Sequence, residues 1–414
     1  MYKKALLLVL MTAYLYTLAF SIFMPDAFRI PAVITVFPLL LFKHPSAKGF
    51  EYSKELILCI AAVFLYNVVG MNDFPGFFAT SMVIGACFLY FNYFIGSSKT
   101  RLHATLAIFA TLLFASMVVM VFDHYSPTAA DQLRSKLLGE QVKQSPAGIA
   151  TTQFTFGYQV VSFTTFLFLT VLAYRRHLFV QIIGFLVCLV CLYLGMNRSA
   201  FVCFSAISGI YILAAFRFKG LLLIIATVAF TIAVSNYAAD NNLGGKDNIL
   251  SKNRAKEAND FNREDLSAEN LKIIGDYPFG LIFYNKKWED VVYKNPRFPA
   301  GLSSHNAYLM FITYLGPIVG TGMLLMLYLP LASAGVRLIR RPAEHEPLLI
   351  ATLGAFLALS LNALSHNGWL LNADGPSVFF FFCLLHLLRE HKLVEHKQPQ
   401  QQTKPTYTLT EFAV

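Results

Sequence analysis

Charge is what this sequence has least of. Only 14% of its 414 residues are Asp, Glu, Lys or Arg, where a soluble domain carries roughly 25%. A soluble chain of this length is expected to split into two or three domains, but this one is 56% hydrophobic, with a mean hydropathy of +0.56. The charge is missing in blocks rather than thinned evenly. None falls from Ala5 to Pro25, and none from Gly220 to Ala239. About 20 apolar residues cross a ~30 Å hydrocarbon core. Backbone groups in lipid must be satisfied within their own segment, so such blocks become helices. The fold class is an all-α polytopic membrane protein.

Other absences narrow the function. No cysteine lies outside an apolar run; Cys59, Cys87, Cys188, Cys191, Cys203 and Cys383 all fall inside one. The Cys188-x-x-Cys191 pair sits within the apolar run 178–195 and reads as buried small hydrophobes rather than a redox centre. No His/Cys cluster has metal-ligand spacing and no Asp-x-Asp stands in an outer segment, so no metal and no cofactor is expected. No Asp, Glu, Lys or Arg lies deep in a span, where ion-coupled carriers and pumps place their working charges. The formal net charge of +10 is not a nucleic-acid signal, because lysines and arginines gather in the cytoplasmic loops of membrane proteins.

What is present reads as about twelve transmembrane helices: 5–24, 30–42, 56–71, 75–96, 103–122, 152–174, 178–196, 199–216, 220–237, 305–332, 347–364 and 375–388. The first is longer than the 7–15 residue core of a cleaved signal, so it is expected to be retained. With both termini cytoplasmic, the inner segments hold eighteen of the 33 Lys and Arg and the short outer loops five. Long loops are poor voters, and one long outer (periplasmic) loop, 238–304, holds the other ten, with ten acidic residues. Residues 123–151, with Leu133, Leu137, Leu138 and Val142, predict an amphipathic helix at the outer interface. A helix is predicted over 261–274, closed by Gly275 and followed by the turn Tyr277-Pro278-Phe279-Gly280.

Candidate chemistry lies on the outer side. His305 stands where the long loop enters the tenth span, in Ser304-His305-Asn306-Ala307-Tyr308-Leu309. Ser304 can cap that helix. An imidazole in the first turn is then held neutral by the positive end of the helix dipole, the form a general base needs. The plainer alternative is an interfacial residue. His366, in Ser365-His366-Asn367, is either a sugar ligand or interfacial. Arg198 occupies the tight outer turn Gly195-Met196-Asn197-Arg198-Ser199-Ala200, where topology disfavours an arginine. It either snorkels to lipid phosphate or offers its fork of donors to a bound phosphate. The long loop adds Arg254, Arg263 and Arg297.

Three of these segments, in order, resemble the O-antigen ligase and O-antigen polymerase superfamily of bacterial surface-glycan enzymes. The first is Gly195-Met196-Asn197-Arg198-Ser199-Ala200. The second is the arginine-led helix from Arg263 to the Pro278-Phe279-Gly280 turn. The third is Ser304-His305-Asn306-Ala307-Tyr308-Leu309 with Gly316 and Gly320. The resemblance covers roughly 178–330. It departs at Asn197, where the family often has Ser; at Leu315, where an acidic residue is common; and in lacking a Trp soon after the loop arginine. These departures leave Arg263 and Arg254 as competing choices for the loop arginine.

The resemblance implies a GT-C-like bundle and a metal-independent glycosyltransferase in the bacterial inner membrane. Its donor is a glycan on a polyprenyl diphosphate, and its acceptor is a sugar hydroxyl on a lipid-linked repeat or on lipid A core. Membrane lipid is a partner and nucleic acid is not. By the same resemblance His305 is the base, Arg198 with Arg263 or Arg254 holds the diphosphate, and His366, Asn306 and Tyr308 are candidate sugar contacts. The Tyr308-Leu309 motif leans towards a polymerase. A polysaccharide or lipid transporter and an inactive membrane subunit are the alternatives. The chain divides into N-terminal helices (1–177), the ligase/polymerase-like core (178–332), C-terminal helices (333–390) and a disordered cytoplasmic tail (391–414).

Overall fold

A computed structural model describes residues 2–22, 32–47, 49–139, 141, 147–174, 177–241, 249, 263–292, 304–342 and 345–397. Among them no strand occurs, and six helices are long and apolar enough to cross a membrane. These are α3 (Ser53–Val63, continued by a π-helical turn to Gly70), α4 (Phe74–Leu89, continued likewise to Ile95), α5 (Lys99–Tyr125), α7 (Gln153–Ala173), α9 (Arg198–Phe216) and α13 (Ala307–Arg340). Shorter apolar stretches lie in α8 (Leu178–Leu194), α10 (Phe218–Asp240) and α14 (Pro347–Asn362). α1 (Tyr2–Ala19) opens the bundle, α11 (Arg263–Asp276) and the short α12 (Trp288–Val292) precede α13, and α15 (Gly375–Lys397) closes it.

The second expected span, 30–42, is described from residue 32 on, as a 3₁₀ turn (Ala32–Val36), a one-turn α2 (Phe37–Leu40) and a turn at 41–42. α1 ends at Ala19, and by Phe42 the chain is back beside the start of that helix, under Lys3 Nζ at 5.8 Å. The outer segment forms α6 (Pro127–Leu138), with Leu138 buried and Leu133 exposed; Val142 lies outside the described residues. α15 runs to Lys397, so the tail expected from 391 begins as helix; 398–414 lie outside the described residues.

The bundle is centred on α7 and α14, which bury most of their length against each other. The phenylalanine run 379–382 of α15 is fully enclosed, with Phe379 stacked on Phe109 of α5 at 3.7 Å. α8 and α10 instead expose large apolar side chains, among them Phe179, Ile183, Leu222, Ile225 and Ile232. So much exposed hydrocarbon suits lipid as the surrounding solvent. All six cysteines are buried free thiols.

α13 corrects the tenth span, 305–332. Gly316 has φ 79° and ψ 159°, far from helix, and Pro317 follows. Proline has no N–H and drives its predecessor out of the helical region. The arms 307–315 and 317–340 fold back on each other: a Cβ on Gly320 would stand 3.0 Å from Ile312 Cα, and the Tyr308 and Tyr328 hydroxyls are 3.1 Å apart. In a straight helix twenty residues span about 30 Å. The long arm alone, about 36 Å at 1.5 Å per residue, is long enough to cross.

Among the described residues, four helices begin with one device, a residue of positive φ followed by an Asx cap. The pairs are Asn72 (φ 53°) with Asp73, Met196 (φ 50°) with Asn197, His305 (φ 51°) with Asn306, and Ala373 (φ 52°) with Asp374. Each capping side chain accepts the N–H three residues on, from Gly76, Ala200, Leu309 and Ser377. Such caps are worth about 0.5–2 kcal/mol each. Asn306, not Ser304, therefore caps α13, and His305 stands outside its first turn.

The segments read as inner meet at one end. Arg101 Nη1 donates to Phe42 O and Phe94 O, Arg389 pairs with Glu51, and His345 meets His391 at 3.1 Å. The segments read as outer meet at the other end.

Candidate functional site

The Arg198 turn and the His305 turn are both bolted to the loop after α14. Asn197 packs its amide where Gly157 of α7 has no side chain; a Cβ there would overlap Asn197 Nδ2. Arg198 is the first residue of α9 and half-buried. Ser199, the next residue, places its hydroxyl 2.8 Å from Asn197 Oδ1, 2.7 Å from Asn362 Oδ1 and 2.8 Å from His366 Nε2. His366 is 4% exposed. On the other side, Ala307 N donates to both Ala363 O and His366 O at 3.0 Å. Phe154, at the start of α7, lies between the two imidazoles, its ring centre 5.8 Å from that of His305 and 5.4 Å from that of His366.

His305 is half-buried. It precedes the Asn306 cap, ahead of the first turn within which the dipole acts. Ser304 is buried, its hydroxyl bound by the Asn270 amide. Asn270 also accepts from Thr313 Oγ1 at 2.8 Å. Asn270 belongs to α11 (Arg263–Asp276), which runs through Gly275 rather than stopping there. The stop is the Tyr277–Gly280 turn, where Gly280 has φ 97°. That turn packs on the α13 elbow backbone to backbone, since a Cβ on Gly280 would overlap Gly316 N. Two motif elements far apart in sequence thus form one contact.

Arg263 opens α11, two turns before Asn270, about 10 Å along the axis at 1.5 Å per residue. Arg254, Arg297 and residues 242–248 and 250–262 of the long loop lie outside the described residues. Of the candidate sugar contacts, Asn306 spends its side-chain oxygen on Leu309 N. Tyr308 has its hydroxyl 2.9 Å from Ser360 O and its ring against Trp369.

Of the two outer arginines whose side chains are described, Arg134 is accounted for structurally. It is fully buried, bonded to Ala147 O at 2.6 Å and ion-paired with buried Asp123 at 2.9 Å and with Asp131. Arg198 makes no ion pair with a described carboxylate. It stands at the N-terminus of α9, where the helix dipole favours negative charge. At the start of α15, burial pushes the Asp374 carboxyl up to about 6, against hydrogen bonds from Ser377 that lower it.

Sequence reasoning singled out His305, Arg198 and His366; the structure sets the two histidines against the Phe154 ring and joins His366 to Ser199, the residue after Arg198. It missed Phe154, Asn362 and the role of Ser199. Ser199 lay inside the quoted motif; Phe154 and Asn362 carried no local signal. Below the Arg198 turn an apolar groove of about 530 Å³ opens between α5 and α8, lined by Phe114, Met117, Phe122, Ile183, Val190 and Cys191. No family model matches this chain, and no curated protein does.

Proposed function

We propose that the protein is a metal-independent membrane glycosyltransferase. It transfers or polymerises glycan from an undecaprenyl-diphosphate-linked donor at the periplasmic face, in O-antigen, exopolysaccharide or capsule assembly, and polymerisation is favoured over ligation. The observation that carries this reading is the meeting of the Arg198 and His305 turns on the loop 363–369, with Phe154 between the histidines.

The proposed setting is the bacterial inner membrane, with about twelve crossings, both termini cytoplasmic and the loop 238–304 outside. Supporting it are the charge bias of the short loops and the gathering of the basic segments at one end of the bundle.

In the proposed reaction an acceptor sugar hydroxyl attacks the anomeric carbon of the donor. The bond from that carbon to the diphosphate oxygen breaks, and both its electrons leave with the diphosphate. His305 takes the hydroxyl proton, a contribution typically of ~10²–10⁴-fold. Arg198, with Arg263 or Arg254, holds the charge that grows on the leaving group, a role worth ~3 kcal/mol per donor. The apolar groove beside the Arg198 turn suits the hydrocarbon of a lipid-borne donor. The test is the purified chain in nanodiscs, given a lipid-linked oligosaccharide and scored for longer glycan. No transfer to any lipid-linked or lipid A core acceptor would sink the reading.

A further inference from the structure

The geometry points to His366 as a positioning residue rather than a sugar ligand: its Nε2–H, donated to Ser199 Oγ, sets the place of Arg198 relative to His305. This rests on the transferase reading above.

The Ser199 hydroxyl has one proton to give. The Ser199 hydroxyl has three polar neighbours within 2.8 Å: Asn197 Oδ1, Asn362 and His366 Nε2. A hydroxyl donates once and accepts twice. Asn197 Oδ1 accepts from Ala200 N at 3.0 Å, which fixes it as an oxygen and so as an acceptor. The Ser199 proton belongs there. The other two neighbours must then donate, Asn362 through its amide nitrogen and His366 through Nε2–H. Asn362 is fully buried. An amide's two ends are interchangeable in placement, and the hydrogen-bond network decides between them.

His366 is also the residue that touches both turns. Its side chain holds Ser199, adjacent to Arg198, while its carbonyl holds Ala307 N, two residues after His305. Its ring packs on Phe154 at 5.4 Å and on Tyr158 at 5.9 Å. Tyr158 in turn donates its hydroxyl to Gly368 O, pinning the same loop. Being 4% exposed, His366 has little surface to offer a glycan. It is well placed to transmit any shift in the loop to the cation and the base together. A misplacement of about 1 Å between reacting groups can cost about 10²-fold in rate.

The experiment is a double-mutant cycle on the full chain in nanodiscs with a lipid-linked donor, reading kcat, donor KM and melting temperature. The variants are Ser199→Ala, His366→Phe, the pair together, and His366→Gln, which keeps an N–H donor at similar reach. A positioning role predicts that Ser199→Ala and His366→Phe each lower kcat/KM by a similar factor, up to about 10²-fold. The pair should be no worse than the worse single variant, since residues sharing one contact do not add. His366→Gln should recover most of the loss at an unchanged melting temperature. The positioning role alone is overturned if the two losses multiply, if Ser199→Ala behaves as wild type while His366→Phe is impaired, or if His366→Gln fails as badly as His366→Phe. A wild-type chain inert towards every donor overturns the transferase reading, and the positioning role falls with it.

Discussion

Gly280 and Gly316 meet backbone against backbone: a Cβ on Gly280 would overlap Gly316 N, and one on Gly316 would overlap the Phe279 carbonyl and stand 3.0 Å from Gly280 N. Both have positive φ, 97° and 79°, so any other residue at either site meets two penalties, conformational strain and overlap. Gly316→Ala is expected to destabilise the protein by about 1–3 kcal/mol or more and to loosen the long loop from the α13 elbow. Thermal unfolding in detergent measures the first effect, and protease sensitivity of the loop measures the second. Wild-type values for both would mean the elbow tolerates a helical residue.

His305→Asn separates chemistry from fold. Asparagine tolerates the left-handed backbone that His305 adopts, so the turn should keep its shape. Transfer is expected to fall by roughly 10²–10⁴-fold, with donor binding nearly unchanged. Turnover like wild type would remove the general base; loss of binding and turnover together would make His305 a diphosphate ligand instead.

Arg198→Lys keeps the charge but loses the paired donors of the guanidinium. It is expected to impair glycan transfer at normal membrane abundance. Full glycan synthesis by that variant would exclude a diphosphate role for Arg198. Arg263→Lys and Arg254→Ala, measured beside it, choose between the loop arginines: the greater loss identifies the ligand.

Asp374 gives a pH test of stability. Its carboxyl is raised to about 6 by burial, above its ordinary 3.8. A raised acid favours the folded state while protonated, and that contribution is lost as pH rises through the folded value. Asp374→Asn keeps a capping oxygen for Ser377 N. It should therefore melt higher than wild type at pH 7.5, with the gap closing as pH falls from about 6 towards 4. A gap that widens on acidification would contradict the burial argument.

Much of the architecture could be read from residue patterns because lipid imposes simple demands. Uncharged blocks such as 5–19 and 220–239 became helices, although 32–40 formed only a 3₁₀ turn and a single helical turn. The α13 elbow was hidden because both its arms are apolar, so hydropathy runs smoothly through Gly316. The α13 cap was misassigned because Ser304 and Asn306 are both good capping residues; tertiary contacts decided it, with Asn270 taking the Ser304 hydroxyl. At the site, His305, His366 and Arg198 carried local signals. The Ser199–His366 bond, across 167 positions, left no local trace, and neither did Phe154.

A last prediction concerns sidedness. Ser251→Cys in the long loop should react with a membrane-impermeant maleimide in intact spheroplasts; protection until lysis would invert the topology.

The six buried thiols bear on how that labelling can be done. A bulky polar reagent has no path to a sulfur packed among helices, and it is not expected to enter the apolar groove that Cys191 lines, so the unaltered chain should give a blank signal. A cysteine-free background, with six simultaneous substitutions in the packed interior, is then unnecessary. Any introduced cysteine reports its own exposure, and each outer or inner turn can be mapped one residue at a time in an otherwise native protein.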